Sequence, residues 1–226
     1  MTPRICASVF PQTIPEALKL IERAEKEGAD LVEIRLDSLE TFEELPSLAK
    51  RGKIRKIATN RLVSHRGKFS GPEAKQKQIL LTAAEGGFDY VDIELSATKL
   101  KEFTTEASER GAKVIVSFHD FEGALRLAEL DNVLQKEIDC GADVCKIVTT
   151  AKRSEDNLAL LNFTAAASKR TDVICFAMGG PGKISRLLSP LFGGFLTFAA
   201  LEHRLETAPG QFTVQEMRTL YRLLGQ

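Results

Sequence analysis

The sequence has no tryptophan, only two tyrosines and three histidines, and no excess of charge of either sign. Lysine plus arginine and aspartate plus glutamate are equal at 31 each, so the chain has no net field to attract nucleic acid or an anionic membrane. Its apolar runs are strand-sized, well short of the ~20 residues that a membrane helix needs. These features exclude nucleic acid and membranes as expected partners, so any anion must be recognised by locally placed arginines.

Cysteine is also scarce, and none of the four cysteines forms a C-x-x-C pair. A metal or redox site is one interpretation, but each cysteine lies in or beside an apolar run, which favours buried thiols in a reducing compartment. The N-terminal segment enters a strand-like stretch without the apolar core of a signal peptide. The sequence therefore predicts a cytoplasmic protein. No cluster of His, Asp and Glu has the spacing of a metal site, so no metal is expected.

A repeated unit runs along the chain, in which an amphipathic helical stretch ends in glycine and a short apolar run follows. Glycine is the usual left-handed residue after a helix, and the run has the length of a buried parallel strand. The glycines of the clearest copies are Gly28, Gly86–Gly87, Gly111 and Gly141.

Eight strands are predicted near residues 5–10, 31–36, 54–59, 90–95, 113–118, 144–149, 173–177 and 195–199, with helices between them such as Pro15–Glu27, Pro72–Glu85, Ser154–Lys169 and Val214–Leu224. Strict β/α alternation fits either a doubly wound sheet or a closed barrel. Eight units in 226 residues favour a (β/α)8 barrel. No linker divides the chain, so residues 1–226 are predicted to form a single domain.

Active sites of such barrels lie at the carboxyl ends of the strands. Polar residues that end the predicted strands are therefore candidates for the site; they are Ser8, Glu33, Arg35, Arg61, Glu94, His119 and Lys146, followed by the glycine loop after Met178 and the segment from Thr207 to Gln211.

Lys146 lies in an otherwise apolar run, Val144 to Val148. An amine buried without a partner favours its neutral form, which attacks carbonyl carbons. The alternative is a structural ion pair with Glu33, Glu94 or another acid at a strand end. His119 ends the preceding strand, close enough to meet the same substrate and to transfer protons; a hydrogen-bonded histidine at the rim is the alternative there.

Three arginines, Arg35, Arg61 and Arg186, follow or end strands. Arg186 comes at the end of the segment that begins with Met178 and the glycine loop. The planar guanidinium suits a carboxylate, and glycines allow backbone N–H groups to approach an anion. A phosphate loop is the competing interpretation, although the spacing is not that of a Walker motif.

Five segments together carry a resemblance to a known family, and they are Glu33–Asp37, Ser117–Phe121, Cys145–Ile147, Met178–Gly179 with Ile184–Arg186, and Ala208–Gln211. Over nearly its whole length the chain resembles the type I 3-dehydroquinate dehydratases of the shikimate pathway. The resemblance implies a (β/α)8 barrel that dehydrates 3-dehydroquinate to 3-dehydroshikimate without a metal or organic cofactor. It also suggests a homodimer.

The resemblance further implies a role for each matching residue. Lys146 corresponds to the lysine that condenses with the substrate ketone, and His119 to the histidine that moves protons at C2 and at the leaving hydroxyl. Arg186 corresponds to the arginine that holds the substrate carboxylate, aided by Gln211 and the hydroxyl of Thr207. Ring hydroxyls would be bound by Glu33, Arg35 and Arg61.

One segment departs from the family. A glutamate that orients the catalytic histidine is usual after the arginine matching Arg61, but this chain has His65 near that place and no acid close by. We therefore expect Glu94 to orient His119 instead, with His65 as the other candidate. The surrounding segment, Asn60–Gly71, is the longest polar insertion, and it is either a mobile lid or a solvated connection.

Two other functions remain open on the residues alone. A class I aldolase also uses a Schiff base in a barrel and would hold a phosphosugar with the glycine loop. A non-catalytic relative would keep the barrel as a binding module, and the missing glutamate is the observation in its favour.

Overall fold

A computed structural model describes residues 2–123 and 125–226 of the chain. Across these residues, strands and helices alternate as the repeat predicts. The strands are β1 Ile5–Val9, β2 Leu31–Arg35, β3 Arg55–Thr59, β4 Tyr90–Glu94, β5 Lys113–His119, β6 Val144–Thr150, β7 Asp172–Met178 and β8 Thr197–Ala199. The helices are α1 Ile14–Lys26, α2 Leu45–Lys50, α3 Glu73–Glu85, α4 Leu100–Glu109, α5 Leu127–Asp139, α6 Asp156–Ala167, α7 Lys183–Leu188 and α8 Val214–Leu223.

All eight strands belong to one parallel sheet, with the order β7-β6-β5-β4-β3-β2-β1-β8. Each strand from β1 to β7 pairs with the next along the chain, and β8 returns to pair with β1. Between β7 and the start of β8, the amide of Phe195 donates to the carbonyl of Val173 at 2.7 Å. The (β/α)8 barrel is thereby confirmed, with a ring that is nearly closed.

Local sequence explains where the helices begin and end. The side chain of Thr13 accepts a hydrogen bond from the amide of Glu16 and so caps α1. Glycines end α1, α3, α4 and α5 as predicted; Gly28, Gly87, Gly111 and Gly141 have φ from +83° to +101°. That conformation is inexpensive only for a residue without Cβ.

An apolar plug fills the amino-terminal half of the barrel. It takes one buried residue from every strand, namely Cys6, Leu31, Ile57, Tyr90, Ile115, Val144, Ile174 and Phe198. Fully burying each large apolar side chain contributes about 1.5–3 kcal/mol before entropic costs. The plug fills the interior beneath the carboxyl ends of the strands, where polar side chains begin.

The thiols of all four cysteines are free, and three of them, Cys6, Cys145 and Cys175, are buried. Burial raises the pKa of the Cys175 thiol to about 12, so this thiol stays protonated. Within residues 2–123 and 125–226 no helix combines the length and the apolar character that crossing a membrane requires.

Candidate active site

A cavity of about 330 Å³ opens at the carboxyl ends of the strands. Its walls come from most strands and from the loops that follow β3, β7 and β8. Among the predicted residues, Glu33, Arg35, Arg61, His65, His119, Lys146, Arg186, Thr207 and Gln211 line it. Ser8 and Glu94 lie just behind the wall and contact residues that do line the cavity.

Lys146 points into this cavity with its nitrogen held by acids. Its Nζ donates to Oδ2 of Asp92 at 2.7 Å and lies 3.6 Å from Oε1 of Glu33. The ring of Phe198 lies beneath, with its centroid 4.4 Å from Nζ. The sequence expectation of an unpartnered amine is therefore wrong, since β4 and β2 each supply a carboxylate. The amine nevertheless lines the open cavity, where a ligand can reach it.

Arg61 completes this charged cluster on the side of β3. Its guanidinium donates to Oδ1 of Asp92 at 2.5 Å and to Oγ of Ser117 at 2.9 Å, and it lies 3.1 Å from Oε1 of Glu94. Burial alone would raise the pKa of Asp92, but the charges of Arg61 and Lys146 outweigh it and hold that pKa well below its ordinary value. Asp92 is therefore the shared anion of two buried cations.

Glu33 anchors a second hydrogen-bonded chain across β1, β2 and β3. It accepts from the hydroxyls of Ser8 and Thr59, the latter at 2.9 Å. Ser8 in turn accepts from the hydroxyl of Thr207 at 2.9 Å. Gln211 donates to that same threonine hydroxyl at 3.1 Å. The loop after β8 is thereby tied to the acid that faces Lys146.

Arg35 is engaged within the protein. Its guanidinium donates twice to the carboxylate of Asp37, both at 2.8 Å. Asp37 also accepts from the backbone amides of Arg61 and Lys68, at 3.2 and 2.9 Å. One buried carboxylate thus fixes both a predicted binding residue and the segment Asn60–Gly71.

Arg186 is the opposite case. The residue is 1% exposed, and its Nε and Nη2 atoms have no hydrogen-bond partner among the described residues. Its guanidinium lies over the ring of Phe176, 4.3 Å from the centroid. Burial lowers the pKa of Arg186 to about 9, because no carboxylate offsets the cost of desolvation. A buried guanidinium of this kind is set up to receive an anion from the cavity.

His119 also has unused hydrogen-bonding groups. Its imidazole makes no hydrogen bond to any residue that the structure describes, and its ring stacks on Phe121. Burial, followed by the positive charges of Arg61 and Lys146, lowers the pKa of His119 well below its usual 6.5. The resting imidazole is therefore neutral at physiological pH and can accept a proton.

The groups expected to orient His119 lie elsewhere. Glu94 accepts from Nε2 of Gln76 at 2.8 Å, and its other carboxylate oxygen lies 3.1 Å from the guanidinium of Arg61. His65 is 3.0 Å from the hydroxyl of Ser96 through Nε2. No hydrogen bond in the described residues joins either of them to His119, because Arg61 occupies the acid and Ser96 the histidine.

Sequence reasoning missed several residues of the site. Asp92 is the most important, and a signal for it existed: it lies two residues before Glu94 in β4 and so shares its face. Ser117 shares a face with His119 in the same way. Asp37 and Gln76 have no such signal, because they act from beyond a strand and from a helix. In the part of the chain that the structure describes, no three His, Cys, Asp or Glu residues are grouped to hold a metal.

Fold and site together define a (β/α)8 barrel with an amine and an imidazole on one anion-binding cavity. The profile of the type I 3-dehydroquinase family matches residues 5–226. The chain therefore belongs to the type I 3-dehydroquinase family.

Relatives of known identity agree with this assignment. A 3-dehydroquinate dehydratase of Methanosarcina barkeri is 35% identical over 229 residues, covering 96% of this chain and 95% of the relative. A chloroplastic bifunctional 3-dehydroquinate dehydratase/shikimate dehydrogenase of Arabidopsis thaliana is also 35% identical, but this chain spans only 36% of its length.

Solved structures give the same result. The 3-dehydroquinate dehydratase of Geobacillus kaustophilus superposes with a TM-score of 0.90 at 29% identity, covering 99% of this chain and 91% of that one. The type I enzyme of Clostridium difficile, solved with covalently modified comenic acid, gives 0.88 at 26% identity and covers 99% and 92%. An aldolase, QR15, at 16% identity and a TM-score of 0.63 shares the fold alone.

Proposed function

We infer that this chain is a hydro-lyase that converts 3-dehydroquinate to 3-dehydroshikimate through a Schiff base on Lys146. The observation that carries this conclusion is the placement of Lys146, His119 and the unpaired Arg186 around one cavity, in a chain of the type I 3-dehydroquinase family. An amine, a proton shuttle and a carboxylate-binding cation are the groups that this chemistry needs.

Lys146 supplies the nucleophile. Asp92 and Glu33 lie 2.7 and 3.6 Å from its nitrogen in the resting site, and the unprotonated amine is the form that attacks the ketone carbon. Loss of water from the resulting carbinolamine gives a cationic iminium. That cation forms on the nitrogen that contacts Asp92, so the acid that holds the resting lysine also stabilises the intermediate.

His119 moves the protons of the elimination. As a neutral imidazole it takes the proton at C2, and the electrons of that bond flow into the iminium to give an enamine. The enamine then expels the hydroxyl at C1, which leaves as water with the proton that His119 holds. Hydrolysis of the remaining iminium releases product and restores Lys146. General acid–base assistance of this kind is typically worth ~10²–10⁴-fold.

Arg186 fixes the ring by its carboxylate. Arg186 has two unpartnered nitrogens among the described residues and lines the same cavity as Gln211 and Thr207, which offer further polar contacts. Glu33, Arg35 and Arg61 face the same space and would contact ring hydroxyls. Holding the ring at several points converts binding energy into orientation, which lowers the barrier to proton removal.

The two other functions are less well supported. Aldolases share the barrel at 14–16% identity, which carries the fold and not the reaction. A non-catalytic module does not explain a lysine kept among two acids at the mouth of a cavity. Inhibition by inorganic phosphate but not by a carboxylate analogue of the substrate would favour the aldolase.

Borohydride reduction in the presence of 3-dehydroquinate tests the proposal directly. We expect intact mass and peptide mapping to show a substrate-sized adduct on Lys146. The matched control is Lys56, a second buried lysine that does not line the cavity. Lys56→Ala should keep the adduct and Lys146→Ala should lose it; an unmodified wild-type chain, or an adduct that survives Lys146→Ala, would contradict the proposal.

A homodimer and a cytoplasmic location stay predictions. The first comes from the family resemblance and the second from the sequence, and sedimentation analysis and cell fractionation would test them.

A further inference from the structure

The imidazole of His119 is held by ring contacts. Its ring centroid lies 5.8 Å from that of Phe121, and the two planes differ by only 11°. The guanidinium of Arg66 lies over the same phenyl ring, with Cζ 4.1 Å from its centroid. All three side chains line the cavity. The histidine, the phenyl ring and the guanidinium therefore form one stacked group at the cavity wall.

The backbone of the β3 loop is shaped to put Arg66 there. Arg66 has φ of +59°, a left-handed conformation that is unfavourable for a residue with a side chain. The next residue, Gly67, passes so close to Arg61 that an added Cβ would lie 2.0 Å from its carbonyl oxygen. The amide of Gly67 donates to the carbonyl of Leu62 at 2.8 Å. This tight turn directs Arg66 towards the cavity.

The other candidates for orienting His119 are occupied. Glu94 pairs with Arg61 and Gln76, and His65 contacts Ser96. Asp92 is shared between Arg61 and Lys146. Among the described residues the imidazole makes no hydrogen bond, and its aromatic contact is the stack on Phe121.

We propose that Phe121, held in place by Arg66, is the positioning residue for His119, and that stacking does the work a carboxylate would otherwise do. This inference rests on the proposed function, since it concerns the group that moves the C2 proton. A stacked ring keeps its plane while both nitrogens stay open. His119 can then accept a proton from the substrate and deliver it to the leaving hydroxyl without first breaking a hydrogen bond within the protein.

Kinetics of matched variants test the proposal. Phe121→Leu keeps apolar volume but removes the stack, and kcat should fall about 2- to 10-fold, the range that a lost aromatic pair accounts for. Phe121→Tyr keeps the ring and should restore kcat. Arg66 lies on an exposed loop, so Arg66→Gln tests the same stack without altering the barrel. It should lower kcat about 2- to 5-fold. The matched control is Arg4→Gln, because Arg4 also covers a phenyl ring, at 4.0 Å, but lies away from the cavity.

Two further readouts separate positioning of His119 from general damage. With C2-deuterated 3-dehydroquinate, the isotope effect on kcat should rise in Phe121→Leu, because proton removal becomes slower relative to the other steps. KM and the rate of the borohydride adduct on Lys146 should change little, because neither depends on His119 geometry.

The possible results are distinct. Wild-type kcat in Phe121→Leu and Arg66→Gln, with the adduct still formed, would overturn the positioning role and leave the proposed function intact. Failure of Phe121→Tyr to restore kcat would also overturn it. Absence of any adduct in the wild-type chain would overturn the proposed function, and this inference with it.

Discussion

Two arginines line the same cavity in opposite states. Arg61 is 5% exposed and faces Asp92, Ser117 and Glu94 at 2.5–3.1 Å. Arg186 is 1% exposed and leaves two nitrogens unpaired among the described residues. The same residue type thus serves as a structural cation on one wall and as an open binding group on the other.

Their pKa values express that difference. Burial lowers the pKa of both, but the charges of Asp92 and Glu94 raise the pKa of Arg61 above its ordinary value, while Arg186 has no such compensation. On the wall with Arg61 and Lys146, both side chains already have acid partners before a ligand arrives. On the wall with Arg186 and His119, side-chain nitrogens have no partner among the described residues and are available to a substrate. Breaking the two walls should have different costs.

The largest effect on activity is expected on the wall with Arg61 and Lys146. Lys146→Ala should abolish turnover, because no other amine lines the cavity in the described structure. The fold should survive, since Asp92 keeps Arg61 as its partner. Steady-state kinetics with circular dichroism would check both statements, and turnover near that of wild type would remove Lys146 from the mechanism.

The next effect contrasts the arginines directly. Arg186→Met should lower kcat/KM by roughly 10²–10³-fold, mainly through KM, since charge-assisted hydrogen bonds to the carboxylate are lost. Its stability should hold or rise, because an unpaired buried charge is removed. Arg61→Met should lose about 3–5 kcal/mol of unfolding free energy, because Glu94 loses its cationic partner and Asp92 keeps only Lys146. Denaturant unfolding of both variants measures the two free energies of unfolding. A larger loss in Arg186→Met than in Arg61→Met would contradict the comparison.

The smallest effect is the dependence of kcat/KM on pH, which we expect to come from His119 on the wall with Arg186. Because the pKa of His119 lies below 6.5, its imidazole stays neutral above that pH, and the acid limb of kcat/KM should fall below pH 6.5. The same shift means that His119 binds a proton more tightly in the unfolded chain than in the folded chain. The folded state therefore keeps its full stability above pH 6.5 and loses part of it as the pH falls. A pH profile of kcat/KM measures the limb, and a midpoint at or above 6.5 would argue against a buried neutral base.

Much of this architecture could be predicted from the sequence. The helix–glycine–strand repeat is local, and every predicted strand is confirmed with ends shifted by no more than two residues. The largest difference is at the last strand, predicted to begin at 195 and found only as Thr197–Ala199. Phe195 instead makes its hydrogen bond across to β7. Strand ends of this kind depend on partners that lie far away in the chain.

The site was harder to predict than the fold. Choosing the polar residues within and just beyond the apolar strands brings Lys146, His119 and Arg186 to one cavity, although only His119 ends its strand; Lys146 lies inside β6 and Arg186 in α7. The same approach overlooked Asp92, which lies two residues before the end of β4 and accepts hydrogen bonds from both Lys146 and Arg61. Pairing between buried charges depends on depth within the barrel, which the sequence pattern does not record.

The short eighth strand has a consequence for how the barrel responds to its substrate. Arg186 belongs to α7, before the weakly joined seam between β7 and β8, and Gln211 lies in the loop after β8. A carboxylate bound by both Arg186 and Gln211 would link the two sides of that seam. Substrate binding would then tighten the whole ring of strands, and the empty enzyme would be the looser, more readily opened barrel.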